Sequence, residues 1–146
     1  MLEGLSLRAP TEEDYPRVMQ ALDEWWDLGG APDGMGRQRQ SLVPRLFFQH
    51  FTDTSFLVED GPRLAAFLIG FLSQSRRNEG YIHFVGVAPT HRERGLARAL
   101  YERFFDVCRR NARGEVHCIT SPHNVRSIEF HKRLGFSVTD ALAEYD

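Results

Sequence analysis

The chain has 146 residues, 42% hydrophobic and 26% charged, which predicts one globular domain that buries a core without disulfides or metals. A formal net charge of −2 and a pI near 6.3 exclude a global electrostatic drive toward nucleic acid or anionic membranes. Cys108 and Cys118 form no CxxC pair, no run is apolar for the ~18 residues of a membrane span, and the first residues lack a signal-peptide pattern; free thiols in the cytoplasm are the expectation.

Leu5, Leu7 and Ala9 alternate with polar residues and predict a short strand, ended by Pro10. Thr11 and Asp14 have capping-box spacing, and Tyr15, Val18, Leu22 and Trp25 recur at helical intervals, so a helix is expected over 12–26. The glycine-rich stretch 27–36 is a loop. A second helix is predicted over 42–51, then a strand over 55–59, a turn at Asp60-Gly61-Pro62 and a returning strand over 64–73. After a polar turn, residues 81–87 form a strongly apolar strand that contains His83. A basic loop over 89–94 opens an amphipathic helix over 95–110. Val116, Cys118 and Thr120 alternate as a further strand. Pro122 to Asn124 lead into a helix ended by Gly135, and Phe136 to Val138 begin a last strand. The front half reads as an antiparallel meander and the back half as alternating strand and helix, so a mixed α/β sheet follows. No linker divides the chain, and residues 1–146 are expected to be one domain.

The segment from Val85 to Ala97 is the most informative. A buried strand runs into a loop that opens a helix, where free N–H groups and partial positive charge can hold an anion such as a pyrophosphate. Gly95 has no Cβ to block a close approach, Ala97 is small, and His91, Arg92, Arg94 and Arg98 add positive potential. There is no GK[ST] and no GxGxxG, which sets aside nucleoside-triphosphate P-loops and dinucleotide folds. The bland alternative is an arginine-rich, solvated helix start.

In this setting Arg92-Glu93-Arg94-Gly95-Leu96-Ala97 resembles the Arg/Gln-x-x-Gly-x-Gly/Ala acetyl-CoA signature of the GNAT acetyltransferase superfamily. About 30 residues on, Asn124-Val125-Arg126-Ser127-Ile128-Glu129-Phe130-His131-Lys132-Arg133-Leu134-Gly135-Phe136 is similar to its second signature, with His131 where the family usually has tyrosine. The resemblance implies a mixed, mostly antiparallel central sheet flanked by about four helices, with a splay between the 81–87 and 115–120 strands. It implies acetyl-CoA as cofactor, its pyrophosphate cradled by the amides of Arg92, Glu93, Arg94, Gly95, Leu96 and Ala97. Pantetheine would lie in the splay near Val85, Val87 and Asn124, the last of which also reads as a simple helix N-cap. The family commonly ends in two strands, and residues 136–146 leave room for one strand and a tail, hence an edge that a second copy could pair with.

The implied reaction is transfer of acetyl to an amine, of a small molecule or a peptide, by direct attack on the thioester. Alternation places Tyr81, His83, Val85 and Val87 on one strand face. His83 is a candidate base, because an imidazole's ordinary pKa near 6.5 suits proton transfer, or else a core histidine. Glu79 at the strand mouth is the other candidate base, or a turn residue; a water chain is a third route. The amide of Val87 is the expected oxyanion donor. His131 shares a helix face with Asn124 and Ile128, and reads either as the acid that protonates the departing thiolate or as a non-catalytic replacement of the tyrosine. Trp25, Trp26 and Tyr81 are candidate walls of an acceptor pocket, and Glu24 and Asp27 could attract its cation. A CoA-binding sensor without turnover is the competing function. The histidines have no metal-ligand spacing, and Arg98, Arg103, Arg109, Arg110 and Arg113 read as a solvated basic face rather than a nucleic-acid site.

Overall fold

Among the described residues five strands form one sheet in the order β1-β2-β3-β4-β5. β1 (Ser6–Arg8), β2 (Phe56–Asp60), β3 (Arg63–Leu72) and β4 (Glu79–Val87) are antiparallel to their neighbours, while β5 (Glu115–Cys118) lies parallel to β4. Among the described residues the α-helices are α1 (Tyr15–Leu28), α2 (Leu46–His50), α3 (Leu96–Arg110) and α4 (Val125–Arg133). The computed structural model describes residues 4–28, 43–120 and 125–139, and only the backbone of 26–28. The mixed topology follows from the connections. A two-residue turn through Gly61, at φ +58°, must return β3 antiparallel to β2. The link from β4 to β5 holds all 15 residues of α3 and so delivers β5 in the same direction as β4. No helix among the described residues is long and apolar enough to cross a membrane.

Each face of the sheet is covered. Val18, Leu22 and Trp25 of α1 and Phe48 of α2 pack on Leu57, Phe67 and Ile69. On the other face Leu96, Leu100 and Phe104 of α3 pack on Val58, Leu68 and Ile82, and Phe130 of α4 joins them. β3 is therefore buried from Leu64 to Gly70, as a central strand with helices on both faces must be.

The start of α1 is tied to the sheet by charge. Asp14 is 11% exposed at its side chain and takes two hydrogen bonds from Arg8, at 2.8 and 2.9 Å, while its Oδ2 also accepts the Thr11 N–H at 2.7 Å. Arg8 and Arg17 converge on Glu59 at 2.8 and 2.6 Å. The Arg8 guanidinium, against the opposing cost of burial, holds the Asp14 carboxyl down at about 2. A depressed folded pKa stabilises the protein above the ordinary carboxylate value, and that stabilisation is lost as the pH falls from about 4 through about 2. Asp14→Asn is expected to lower the urea-unfolding free energy at pH 7 by about 2 kcal/mol and to flatten the acid limb of the stability profile.

Three sequence expectations change. The second helix is shorter than 42–51, because Pro44 stands at its entrance and the first turn closes from the Pro44 carbonyl to the Phe47 N–H, at 3.1 Å. The strand predicted to reach Thr120 ends at Cys118. No strand forms over 136–139. Gly135, at φ +103°, turns the chain so that the Phe136 N–H caps the His131 carbonyl at 3.0 Å, and the Phe136 ring packs against Tyr101, Phe105 and His131. Helix capping and aromatic burial thus take the residue that would have begun the strand.

Candidate active site

β4 carries an irregularity that organises the site. Ile69 pairs with Phe84 but Gly70 pairs with Ile82, so His83 is the extra residue of a β-bulge. Alternation reverses there. Tyr81 and His83 face α2, where Tyr81 stacks on Phe71 and His83 on Phe47, the latter with centroids 4.3 Å apart and planes at 12°. Val85 and Val87 face α3. The expectation that these four share one face is therefore wrong, and the bulge is the reason. Gly86 falls on the α2 side, where a Cβ would come within 2.7 Å of the Phe67 ring, so Trp25 and Phe67 can close over it.

The bulge also marks where the sheet opens. β5 pairs with β4 from Glu79↔Glu115 only to Ile82↔Cys118, while β4 continues to Val87. Beyond the bulge the edge of β4 that faces β5 has no neighbouring strand among the described residues. The expected splay is present and begins at His83, directly after the last pair, Ile82↔Cys118.

At the far end of β4, Ala88 ties back to the Ala65 carbonyl at 2.8 Å, and a short turn over Pro89–His91 follows. The chain then passes through left-handed residues at Glu93, φ +65°, and Gly95, φ +78°, before α3 begins. The first main-chain bond into the helix runs from the Ala99 N–H to the Gly95 carbonyl. Among the described residues, the amides of Arg92, Glu93, Arg94, Gly95, Leu96 and Ala97 donate no hydrogen bond of good geometry. Arg92 and Arg94 are exposed, Leu96 is buried at 1%, and the Arg92 Nε donates to the Val87 carbonyl at 3.3 Å. Six amides that donate no well-formed hydrogen bond among the described residues, at the positive end of a 15-residue helix and beside an opened sheet, are an arrangement able to hold an anion.

A cleft of about 740 Å³ runs along β5 and below the end of α4, lined in part by Tyr81, His117, Cys118, Ile128, His131 and Phe136. At its rim stands a group that the sequence did not reveal. His117 lies opposite Tyr81 in the parallel register, with its Nε2 3.2 Å from the Glu115 Oε1 and 3.4 Å from the Glu79 Oε1. The neighbouring imidazole and Asn78 hold the exposed Glu115 carboxyl below its usual value. Glu79, as expected, is at the strand mouth. His117 alternates with the apolar Val116 and Cys118, so periodicity alone marks it as a solvated position; only the register brings it beside Tyr81 and Glu79.

His131 is 7% exposed, with both ring nitrogens engaged. Nδ1 lies 2.6 Å from the Ser127 carbonyl, which can only accept, so Nδ1 carries the proton. Nε2 then accepts the Tyr101 hydroxyl at 2.8 Å. Burial pushes the Tyr101 hydroxyl well above its ordinary pKa, which keeps it a donor. This pair pins α4 to α3 inside a ring of Phe130 and Phe136. Burial also pushes the Cys118 thiol up to about 11, so at neutral pH it is not a thiolate. Trp25 is 6% exposed and belongs to the core; it borders a smaller depression near Arg17 and His91, not the cleft of Tyr81. The Trp26 side chain and Asn124 lie outside the described residues. No three His, Cys, Asp or Glu side chains gather as metal ligands among the described residues.

No curated protein matches the sequence. Among solved structures, the chain is similar to the ribosomal-protein-S18-alanine N-acetyltransferase of Escherichia coli, at 18% identity and TM-score 0.68 over 92% of this chain and 79% of that one. It is also similar to the diaminobutyrate acetyltransferase EctA of Paenibacillus lautus, solved with its substrate and coenzyme A, at 21% identity and TM-score 0.67 over 89% and 74% of the two chains. The aminoglycoside N-acetyltransferase AAC(6')-Iy, in complex with a CoA-linked bisubstrate analogue, gives 19% identity and TM-score 0.65 over 93% and 92%. These likenesses establish the shared fold, and the profile of the acetyltransferase (GNAT) family matches residues 8–136. The chain therefore belongs to the GNAT acetyltransferase family.

Proposed function

We propose that this domain transfers the acetyl group of acetyl-CoA to an amine by direct attack on the thioester. The observation that carries the reading is the run of amides from Arg92 to Ala97 at the head of α3, which donate no well-formed hydrogen bond among the described residues, beside the gap where β4 and β5 part. Acetyl-CoA would supply the activated acyl group. The amides of Arg92 to Ala97 would hold its diphosphate, with Arg92 and Arg94 adding charge. The free edge of β4 near Val85 and Val87 would offer main-chain groups to the pantetheine arm, and a main-chain N–H there would stabilise the oxyanion.

The proton chemistry falls to the rim of the cleft. With its Nε2–H donated to Glu115, His117 keeps the lone pair on Nδ1 and can take the proton of an attacking amine. The Glu79 Oε1 lies 3.4 Å from the same Nε2 and adds its charge there, and Tyr81 beside it would orient the acceptor. Glu79 and Glu115 also give the rim a negative potential that favours a cationic primary amine, of a small molecule or a peptide. His83 stacks on Phe47 and shapes the wall beneath α2. His131 serves by holding α4, because the proton it carries is committed to the Ser127 carbonyl. The three similar structures come from enzymes whose names or bound substrates point to amine-bearing acceptors: an alanine of ribosomal protein S18, diaminobutyrate and an aminoglycoside. The two free thiols suit a reducing compartment such as the cytoplasm.

The test is release of CoA thiol from acetyl-CoA across a panel of primary amines. At least one amine is expected to raise release well above the no-enzyme rate; release that never exceeds that rate would leave a CoA-binding module without turnover. Direct attack also predicts that Cys118→Ala keeps kcat within about threefold of the parent. Loss of turnover with trapping of an acetyl-cysteine in the parent would contradict it.

A further inference from the structure

His91 is 6% exposed, and neither of its ring nitrogens is spent on the core. Its Nε2 lies 2.9 Å from the Oδ2 of Asp60, at the end of β2, and its Nδ1 lies 2.9 Å from the Thr90 hydroxyl. The carboxylate can only accept, so Nε2 carries a proton and donates it across 31 positions of sequence. His91 is the residue immediately before the amide run. Its own N–H closes the preceding turn on the Ala88 carbonyl at 2.8 Å, and Ala88 is bonded to β3. Toward the end of the run, Leu96 is buried. The exposed stretch from Arg92 to Arg94 and the half-buried Gly95 are thus staked at both ends, by an apolar anchor after and a charged side-chain bond before.

We propose that the His91–Asp60 bond is a positioning clamp that holds the Arg92–Ala97 amides in their diphosphate-binding arrangement; the proposal rests on the reading of that run as the CoA site. The chain needs such a clamp because two left-handed residues follow, one of them the non-glycine Glu93 at φ +65°, a conformation that relaxes unless its flanks are fixed. Asp60 is half exposed and lies outside the cradle. Simple electrostatics therefore predicts the opposite sign to the clamp. Removing a carboxylate near an anion site lowers repulsion and should tighten CoA binding, whereas removing a clamp should weaken it.

The experiment compares Asp60→Ala, Asp60→Asn and His91→Phe with the parent, using two ligands. CoA carries the diphosphate, and S-acetylpantetheine lacks it. Calorimetric affinity for CoA is expected to fall about fivefold in Asp60→Ala and His91→Phe, the scale of one partly solvated hydrogen bond to a charged group. Asp60→Asn retains an acceptor for Nε2–H and is expected to stay within about twofold of the parent. Affinity for S-acetylpantetheine, read by competition, is expected to be unchanged in all three. Unchanged or tighter CoA binding in Asp60→Ala would overturn the clamp, and so would equal losses for both ligands, which would signal general loosening of the fold. Should His91→Phe not fold, the contrast between Asp60→Ala and Asp60→Asn decides, since Asp60 is half exposed beside a surface turn. A parent protein that binds no CoA would instead overturn the reading of the site itself.

Discussion

Gly95→Val is expected to weaken CoA binding by about a hundredfold while leaving the protein folded. Gly95 sits at φ +78° as the residue that admits the chain to α3. A β-branched residue in that region carries a strain on the order of 1–3 kcal/mol. It also places methyl groups where the backbone must approach a diphosphate, and together the two effects amount to about 3 kcal/mol, or about two decades in Kd. Gly95→Ala adds the strain and a single methyl group, and is expected to lose about tenfold. Calorimetry with CoA reads both variants, and circular dichroism confirms the fold. Affinity within threefold of the parent in the valine variant would mean that the cofactor does not touch this turn.

His117→Ala is expected to lower kcat by about two orders of magnitude, the usual share of a positioned general base, with KM for acetyl-CoA nearly unchanged because His117 stands on the far face of β5 from the α3 cluster. Glu79→Gln keeps the shape and a hydrogen-bond acceptor while removing the charge that orients the imidazole, and is expected to cost about tenfold. The double variant should lose little more than His117→Ala alone, since the two act as one unit. A His83→Ala loss larger than that of His117→Ala would return the base to β4. Equal, small effects at all three positions would mean that the amine loses its proton to solvent.

The sequence told more about the cofactor half of the site than about the acceptor half, and the difference has a physical cause. The amide cradle is a local object: a strand, a turn with Gly95 and a helix start lie within thirteen consecutive residues, so spacing alone exposes it. The proposed proton-transfer group is assembled by register. His117 comes from a strand separated from Tyr81 by a whole helix, and nothing in the alternation of Val116 and Cys118 marks it. The bulge at His83 misled the reading of β4 for a related reason. A single inserted residue reverses every later side chain, and a strand as apolar as Tyr81–Val87 shows no polar phase by which to detect the shift. For His131 the sequence leaves two readings, the acid that protonates the thiolate and a non-catalytic replacement of the tyrosine. The structure shows its proton already committed to the Ser127 carbonyl, a bond to its own preceding turn that any helical histidine can make but that no spacing announces. Phe136 was assigned to a strand on apolar character and instead went to the helix cap and the Tyr101 cluster.

Amide resonances followed by two-dimensional NMR during a CoA titration test the central claim at the atoms concerned. The N–H signals of Arg92 through Ala97 are expected to move downfield together, saturably, and with one affinity that matches calorimetry, as they gain the well-formed hydrogen bonds they lack in the free protein. Saturable binding that leaves those six signals in place, and shifts others instead, would contradict the account.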